Sequence, residues 1–350
     1  MLATESSAVA SPDPVAPLVE STVAWKHIVA PAEPFLQDVA ERLKEQIDAF
    51  ESDLAAYATY VLTGQGKQLR PALVALSGGA TGQLSDAHVL VAVIIEMIHL
   101  ATLAHDDVMD EARLRRGRLT LAAHWGNEIS VLLGDCLFAH ALKLAASFPT
   151  PEICRAVSAA TNTVCSGEIL QTQRRKNFAL SRGEYFKVLQ MKTGELFALS
   201  CDLGAHLSGA SAVPRNALRH YGMAIGTAYQ IYDDCLDLFG SEAAVGKSLG
   251  TDLAKGKLTL PLLLALEQAS AVGRAHIEAI VRDWKPRHFV SLLKILQDHR
   301  TLDGCRMVVH QYLQTARQKL GALPATESRH GLAGLTDYLA QQVDALATAG

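Results

Sequence analysis

Two short aspartate clusters are the residues of this chain whose type and spacing could do chemistry. The first, Asp106-Asp107-Val108-Met109-Asp110, closes an apolar, helix-favouring stretch that starts at Val91. At about 100° per residue, Asp106 and Asp110 fall one above the other on a helix, with His99, Thr102 and Leu103 on roughly the same side. Like charges at that spacing repel, and carboxylates leaving a buried helix carry a desolvation cost unless a cation meets them. Oxygen-only donors suit a hard cation such as Mg²⁺ and not zinc. Taken alone, this run reads more readily as the solvated end of a helix. The second cluster, Asp233-Asp234-Cys235-Leu236-Asp237, repeats the spacing, and there the apolar stripe continues through Leu238 and Phe239. A solvated helix end would not do that. Two such clusters facing each other form a cage for several Mg²⁺ ions, whose shells need further oxygens, normally from substrate phosphates. Asp106, Asp107, Asp110, Asp233, Asp234 and Asp237 are therefore the expected metal set.

A site for metal and phosphate needs other cations around it. Lys67 and Arg70 stand at a helix start before Pro71, where backbone N–H groups also favour an anion. Arg115 and Arg116 follow the first cluster, and guanidinium groups bind phosphate oxygens bidentately. Lys192 and Thr193 interrupt an apolar helix, and a lysine there either snorkels or meets an anion. Gln230 precedes Asp233 and reads as a core amide or a site residue. Lys247, Asp252 and Lys257 lie in a Gly/Lys-rich loop after the second cluster, where most charges are merely exposed. His99, on the face leading to Asp106, is a candidate phosphate donor. Arg174, Arg175 and Lys176 read as a solvated run without a role.

The elements that must position these groups are helices. With 350 residues, 49% of them hydrophobic, the chain can bury a large core. The formal charge of -4, with no Lys/Arg stripe, argues against nucleic acid as the main partner. Six scattered cysteines without Cys-x-x-Cys spacing suit buried free thiols in a reducing cytoplasm better than zinc or disulfides. Residues 1–30, rich in Ala, Ser and Pro, have neither a basic n-region nor an apolar core, and read as a disordered lead-in. The run Val89–Leu100, broken by Glu96 and His99, is too short to span a bilayer, so no transmembrane segment is expected. Pro34, Pro214 and Pro261 mark helix starts, Ser85 an N-cap, and Ser181 with Glu184 a capping box. Strand-like alternation is nearly absent. The expected architecture is all-α: a single large helical bundle over residues 31–350.

These residues together resemble the all-trans polyprenyl diphosphate synthases, the head-to-tail isoprenoid chain-elongating enzymes. The resemblance runs from Phe35 to the C-terminus. It rests on Gly66-Lys67-x-x-Arg70-Pro71, the two aspartate-rich motifs, Gly167-Glu168-Ile169-Leu170-Gln171, Lys192-Thr193, Gln230 and Gly256-Lys257-Leu258-Thr259-Leu260-Pro261, in this order. Gln68 departs from it by standing where a basic residue is common. The resemblance implies the isoprenoid-synthase type of bundle, a homodimer, and Mg²⁺ as cofactor, roughly three ions. It places isopentenyl diphosphate on Lys67, Arg70, His99 and Arg116. The allylic diphosphate would fall to Arg115, Lys192, Thr193, Gln230, Lys247 and Lys257, with Lys192, Thr193 and Gln230 also serving catalysis.

Product length is expected to be set at Ala101 and Thr102, five and four positions before Asp106. In the family, bulky aromatics there floor the product tunnel. Both residues are small here, which implies a medium- or long-chain product. Met97, Ile98, Leu132, Leu133 and Phe138 are further candidates for a floor. The rival readings are a short-chain farnesyl or geranylgeranyl diphosphate synthase, a class I terpene cyclase, and a non-catalytic partner subunit. A cyclase has no need of Lys67 and Arg70, and its second metal motif normally mixes Asn, Ser and Glu. A silent subunit has no need of two intact carboxylate clusters. The apolar stretch Asn127–Phe148 is the candidate dimer interface.

Overall fold

The structure, a computed structural model, describes residues 25–64, 66–115, 117–241 and 249–346. Residues 1–24 of the expected lead-in, and Arg116 and Lys247 of the expected site, lie outside them. Residues 25–29, which the lead-in was expected to include, are helical, with Trp25 against Tyr338 and Val29 buried.

Helices then follow one another in the order the punctuation suggests. Helix α1 (Glu33–Glu45) carries Pro34 in its first turn, and α2 (Ala55–Leu62) stops just before Gly64. Helix α3 (Leu69–Thr81) starts two residues before Pro71, from a Gln68 held in the left-handed region at φ 46°. Helix α4 (Asp86–Met109) is closed at its start by a reciprocal box, in which Ser85 meets the N3 backbone and the His88 ring meets the Ser85 N–H. It ends in the first aspartate cluster. A two-residue hairpin follows, β1 (Leu114–Arg115) against β2 (Arg118–Leu119), where no strand was expected. Next come α5 (Leu121–Trp125), α6 (Asn127–Ala146) and α7 (Glu152–Gln173).

Ser181 and Glu184 form the expected capping box at the start of α8 (Arg182–Leu189). The chain then passes through a π segment, Gln190–Gly194, into α9 (Glu195–Leu207). Helix α10 (Ala212–Phe239) bears the second cluster at its far end. The expected loop up to Lys257 contains a short helix, α11 (Thr251–Ala254). Helices α12 (Leu260–Gln268), α13 (Ala271–Arg282), α14 (Phe289–Asp298), α15 (Thr301–Lys319) and α16 (Glu327–Asp344) complete the described chain.

Helix α9 is the axis of the all-α bundle. It packs on α3, α10, α4 and α7, and α4 is in turn flanked by α6, α3 and α1. Nearly all of α9 is buried, and one contiguous apolar core runs from Ala32 to Leu346. The crossing of α9 on α3 depends on Gly204: a Cβ there would sit 2.4 Å from the Val74 carbonyl oxygen. Gly204→Ala is therefore expected to push two buried helices apart, at a cost of about 1–3 kcal/mol. A lower urea midpoint with an unchanged m-value is the expected reading, and an unchanged midpoint would refute it.

Helices α4 and α6 are long and apolar enough, by length and composition, to cross a membrane. The apolar surface of α4 is mostly used in the core instead, where its Val91–Ile95 segment has no exposed area. Helix α6 is less covered, and Leu132 is 60% exposed. All six cysteines are free.

Candidate active site

Both aspartate clusters sit at helix C-terminal ends, those of α4 and α10. The macrodipole puts partial negative charge at a helix C-terminus, so carboxylates there are doubly in need of cations. The fold brings the two ends to one cavity of about 1580 Å³. Asp106, Asp110, Asp233 and Asp234 line it. So do Lys67, Arg70 and His99 toward α3, and Arg115, Lys192, Thr193, Gln230 and Lys257 around the aspartates.

Three of the expected residues are placed elsewhere. Asp107 is 5% exposed and turned from the cavity into Arg115, whose Nη2 and Nε donate to it at 2.7 and 3.0 Å. Asp237 is 1% exposed and accepts from the Thr251 hydroxyl at 2.7 Å and from the Thr251 and Asp252 amides. These two carboxylates hold the hairpin and the 250–257 loop in place, so we assign them to positioning and not to metal. Ala101 has no exposed surface and belongs to the core, whereas its neighbour Thr102 lines the cavity.

The cations reach the aspartates from four different elements. The Lys192 ammonium, on the π segment, pairs with Glu168, lies 3.4 Å from Asp106, and donates to Gln171 Oε1 at 3.1 Å. A π turn bonds one residue further along the helix than an α turn, as Glu195 N–H does to the Gln190 carbonyl, and such bulges recur at functional sites. Helix α7 approaches this segment so closely that a Cβ on Gly167 would lie 2.9 Å from the Lys192 backbone nitrogen. That approach lets Glu168 and Gln171, one helical turn on, reach Lys192. Lys257 donates to Asp110 at 2.8 Å and lies 3.4 Å from Asp252. Arg175, read from sequence as part of a solvated run, lies 3.4 Å from the other Asp110 oxygen. The Lys176 N–H donates to the Gly256 carbonyl at 2.8 Å, which ties the linker to the loop and carries Arg175 to the site.

The electrostatics follow from this traffic. Burial pushes the Asp110 carboxyl up, but Lys257, Lys192 and Arg175 outweigh it, and the group titrates below the ordinary carboxylate range. Burial likewise opposes charge on Lys192, yet Asp106 and Glu168 raise its pKa above the ordinary lysine value. Asp234 is the opposite case. Burial, with help from the Asp252 charge, pushes it up to about 8, against the hydrogen bonds that stabilise its anion. Those come from the Tyr185 hydroxyl at 2.6 Å and Gln230 Nε2 at 2.9 Å. The Thr193 hydroxyl donates to Gln230 Oε1 at 2.8 Å, so Thr193, Gln230, Asp234 and Tyr185 form one chain along the cavity wall.

The donor set fits a hard cation that brings its own anion. Among the described residues, no three carboxylate, imidazole or thiol groups converge closely enough to hold an ion by themselves. Four carboxylates nevertheless open on one cavity, and lysine ammonium groups meet two of them. Hard cations take oxygen ligands, and a diphosphate would supply the missing oxygens and displace the lysines onto itself.

Comparison with known proteins agrees with this geometry. The polyprenyl synthetase family model matches residues 51–297, which contain both clusters and every expected site residue. An octaprenyl diphosphate synthase of Haemophilus influenzae is 34% identical over 305 residues, covering 87% of this chain and 93% of that protein. Heptaprenyl diphosphate synthase component 2 of Bacillus subtilis is 35% identical over 306 residues, 87% of either chain. The solved polyprenyl synthase from Caulobacter crescentus CB15, complexed with calcium and isoprenyl diphosphate, is 31% identical, with TM-score 0.86 over 92% of this chain and 98% of that one. A bundle with two facing aspartate clusters, and relatives alike over nearly their full length, lead to one conclusion: the chain belongs to the polyprenyl synthetase family.

Proposed function

We propose that this protein is a trans-prenyltransferase that condenses isopentenyl diphosphate with an allylic diphosphate and releases a medium- or long-chain all-trans polyprenyl diphosphate. The observation that carries the reading is that Asp106, Asp110 and Asp233 open on the same cavity as Lys67, Arg70, Lys192 and Lys257. Asp106, Asp110 and Asp233 would hold Mg²⁺ together with the allylic diphosphate. When bound, Mg²⁺ supplies Lewis-acid stabilisation of the departing diphosphate. Lys192, Lys257 and Arg115 exchange their present carboxylate partners for diphosphate oxygens, which stabilises negative charge as the allylic C–O bond breaks. Lys67, Arg70 and His99 hold isopentenyl diphosphate on the opposite wall, with its double bond toward the allylic carbon. The Thr193 hydroxyl, which donates a hydrogen bond to Gln230 Oε1, turns lone pairs toward the cation that forms. The isopentenyl double bond forms the new carbon–carbon bond to the allylic carbon, and released diphosphate takes the proton whose loss restores a double bond.

The apolar part of the wall favours a long product. Thr102, Leu103, Val131, Phe138 and Val164 continue the cavity away from the aspartates, and no aromatic residue stands at position 101 or 102. Of the expected floor residues, Phe138 lines the cavity, while Met97 and Ile98 are closed into the core and Leu132 faces outward. Incubating the purified protein with labelled isopentenyl diphosphate, Mg²⁺ and each allylic primer tests the reading. Products longer than geranylgeranyl diphosphate support it. Arrest at farnesyl or geranylgeranyl diphosphate would establish the short-chain alternative, and absence of incorporation would remove the enzymatic reading.

Homodimerisation through α6 is part of the proposal, because Val131 and Leu132 are exposed there and Ile169 on neighbouring α7 is 59% exposed. Sedimentation of the purified protein checks this. A monomer that elongates only with a second protein added would favour a two-component enzyme, as the name of the Bacillus subtilis relative suggests for that protein.

A further inference from the structure

Cations stand on both walls of the cavity. On the aspartate side, Lys192, Lys257 and Arg115 are each paired with a carboxylate. On the α3 side, Lys67 donates to the Tyr338 hydroxyl at 3.1 Å and lies 5.5 Å above its ring, and the Arg70 guanidinium lies 4.9 Å from the centre of the Phe197 ring. Two residues from the start of the described chain, Trp25 and Lys26, complete that same wall.

The helical turn that carries them is anchored. The Trp25 ring centre is 5.9 Å from that of Tyr338, and Val29 is buried. Ile28 presses on α16 at Gly331 and Gly334, where an added Cβ would meet its carbonyl oxygen or side chain at 3.2 Å. Tyr338 therefore touches both Trp25 and Lys67. Lys26 itself is exposed, and no ion pair or hydrogen bond to it is found among the described residues.

We propose that Lys26 is a further cation for the diphosphate of the isopentenyl substrate, set over Lys67 and Arg70 by the Trp25–Tyr338–Lys67 contact. This rests on the reading that the α3 wall holds that substrate. The inner phosphate of an isoprenyl diphosphate carries one negative charge and the terminal phosphate more than one near neutral pH, so the group carries more charge than Lys67 and Arg70 on this wall neutralise. An ammonium on a flexible four-carbon stem can swing onto it without first breaking a pair, and loses only side-chain freedom. The same movement lays the Lys26 stem across the cavity beside the anchored Trp25, which helps exclude water from an allylic cation.

The test uses the full chain and two readouts: calorimetric binding of isopentenyl diphosphate, and steady-state kinetics with both substrates varied. Lys26→Gln is expected to weaken isopentenyl diphosphate binding and raise its KM by about ten-fold, the loss of one charge-assisted contact. kcat and the KM of the allylic substrate stay within about two-fold, and Lys26→Arg recovers most of the loss. Trp25→Ala, which frees the turn but keeps the charge, is expected to raise the same KM. Unchanged isopentenyl affinity in Lys26→Gln overturns the proposal, and so does an equal rise in both KM values, which would mark a general field. A wild type that binds isopentenyl diphosphate without elongating refutes the enzymatic reading but leaves the Lys26 comparison legible in the dissociation constants. A wild type that does not bind it overturns both.

Discussion

Asp106→Asn is expected to lower kcat by about 10³-fold or more while leaving the fold intact. The substitution keeps the shape of the side chain and removes a charge at the C-terminal end of α4, where charge is unfavourable to the isolated protein. Stability should therefore hold or rise slightly as kcat collapses. Asp233→Asn is expected to behave alike from the facing helix. In the proposed mechanism both carboxylates act on one metal–diphosphate unit, so the double variant should lose little more than either single one. Asp107→Asn tests the distinction within the cluster. Its carboxylate meets Arg115 and not the cavity, so its loss should weaken allylic diphosphate binding through a misplaced Arg115 and spare more of kcat. Steady-state kinetics of the four variants decide this. Additive losses in the double variant, or Asp107→Asn as damaging to kcat as Asp106→Asn, would contradict the assignment.

Thr102→Phe is expected to shorten the product by several isoprene units. Thr102 lies one helical turn before Asp106, lines the cavity, and donates its hydroxyl to the His99 carbonyl at 2.7 Å. A phenyl ring there would project into the apolar channel between α4, α6 and α7 and stop the growing chain near the metal end. Ala101→Phe makes the contrast. Ala101 has no exposed surface, so the ring must displace core neighbours, at a cost of about 1–3 kcal/mol. Mass analysis of extracted products reads the difference. A full-length product from Thr102→Phe would show that the tail takes another route.

Much of the fold and of the aspartate end of the cavity was legible in sequence because both follow local rules. Ser85, Pro34 and the Ser181–Glu184 box act within one helical turn, and the i,i+4 spacing of Asp106 and Asp110 puts them on one face whatever lies opposite. What was not legible depends on contacts between segments distant in the chain. Asp234 has the same local pattern as Asp107, yet its environment is made by Tyr185, forty-nine positions away, and by Gln230. Arg174, Arg175 and Lys176 form an ordinary basic run until the Lys176–Gly256 hydrogen bond brings Arg175 to Asp110. The π segment left no trace in the apolar period either. Its one signal was a lysine inside an apolar helix, opposite a motif glycine whose missing side chain lets α7 come close. Helical residues 25–29 were hidden by the composition of what precedes them, because their anchor is Tyr338 near the other end of the chain.

The central claim is that the two acidic helix ends act as one site only when a diphosphate joins them. Calorimetric titration of Mg²⁺ into the full-length protein, with and without inorganic diphosphate and corrected for their pairing in solution, tests it most directly. The account predicts that diphosphate tightens Mg²⁺ binding by about ten-fold or more, and that Asp233→Asn abolishes this gain although Asp106 and Asp110 remain. Equal Mg²⁺ affinity with and without diphosphate, or a gain that survives Asp233→Asn, would contradict it.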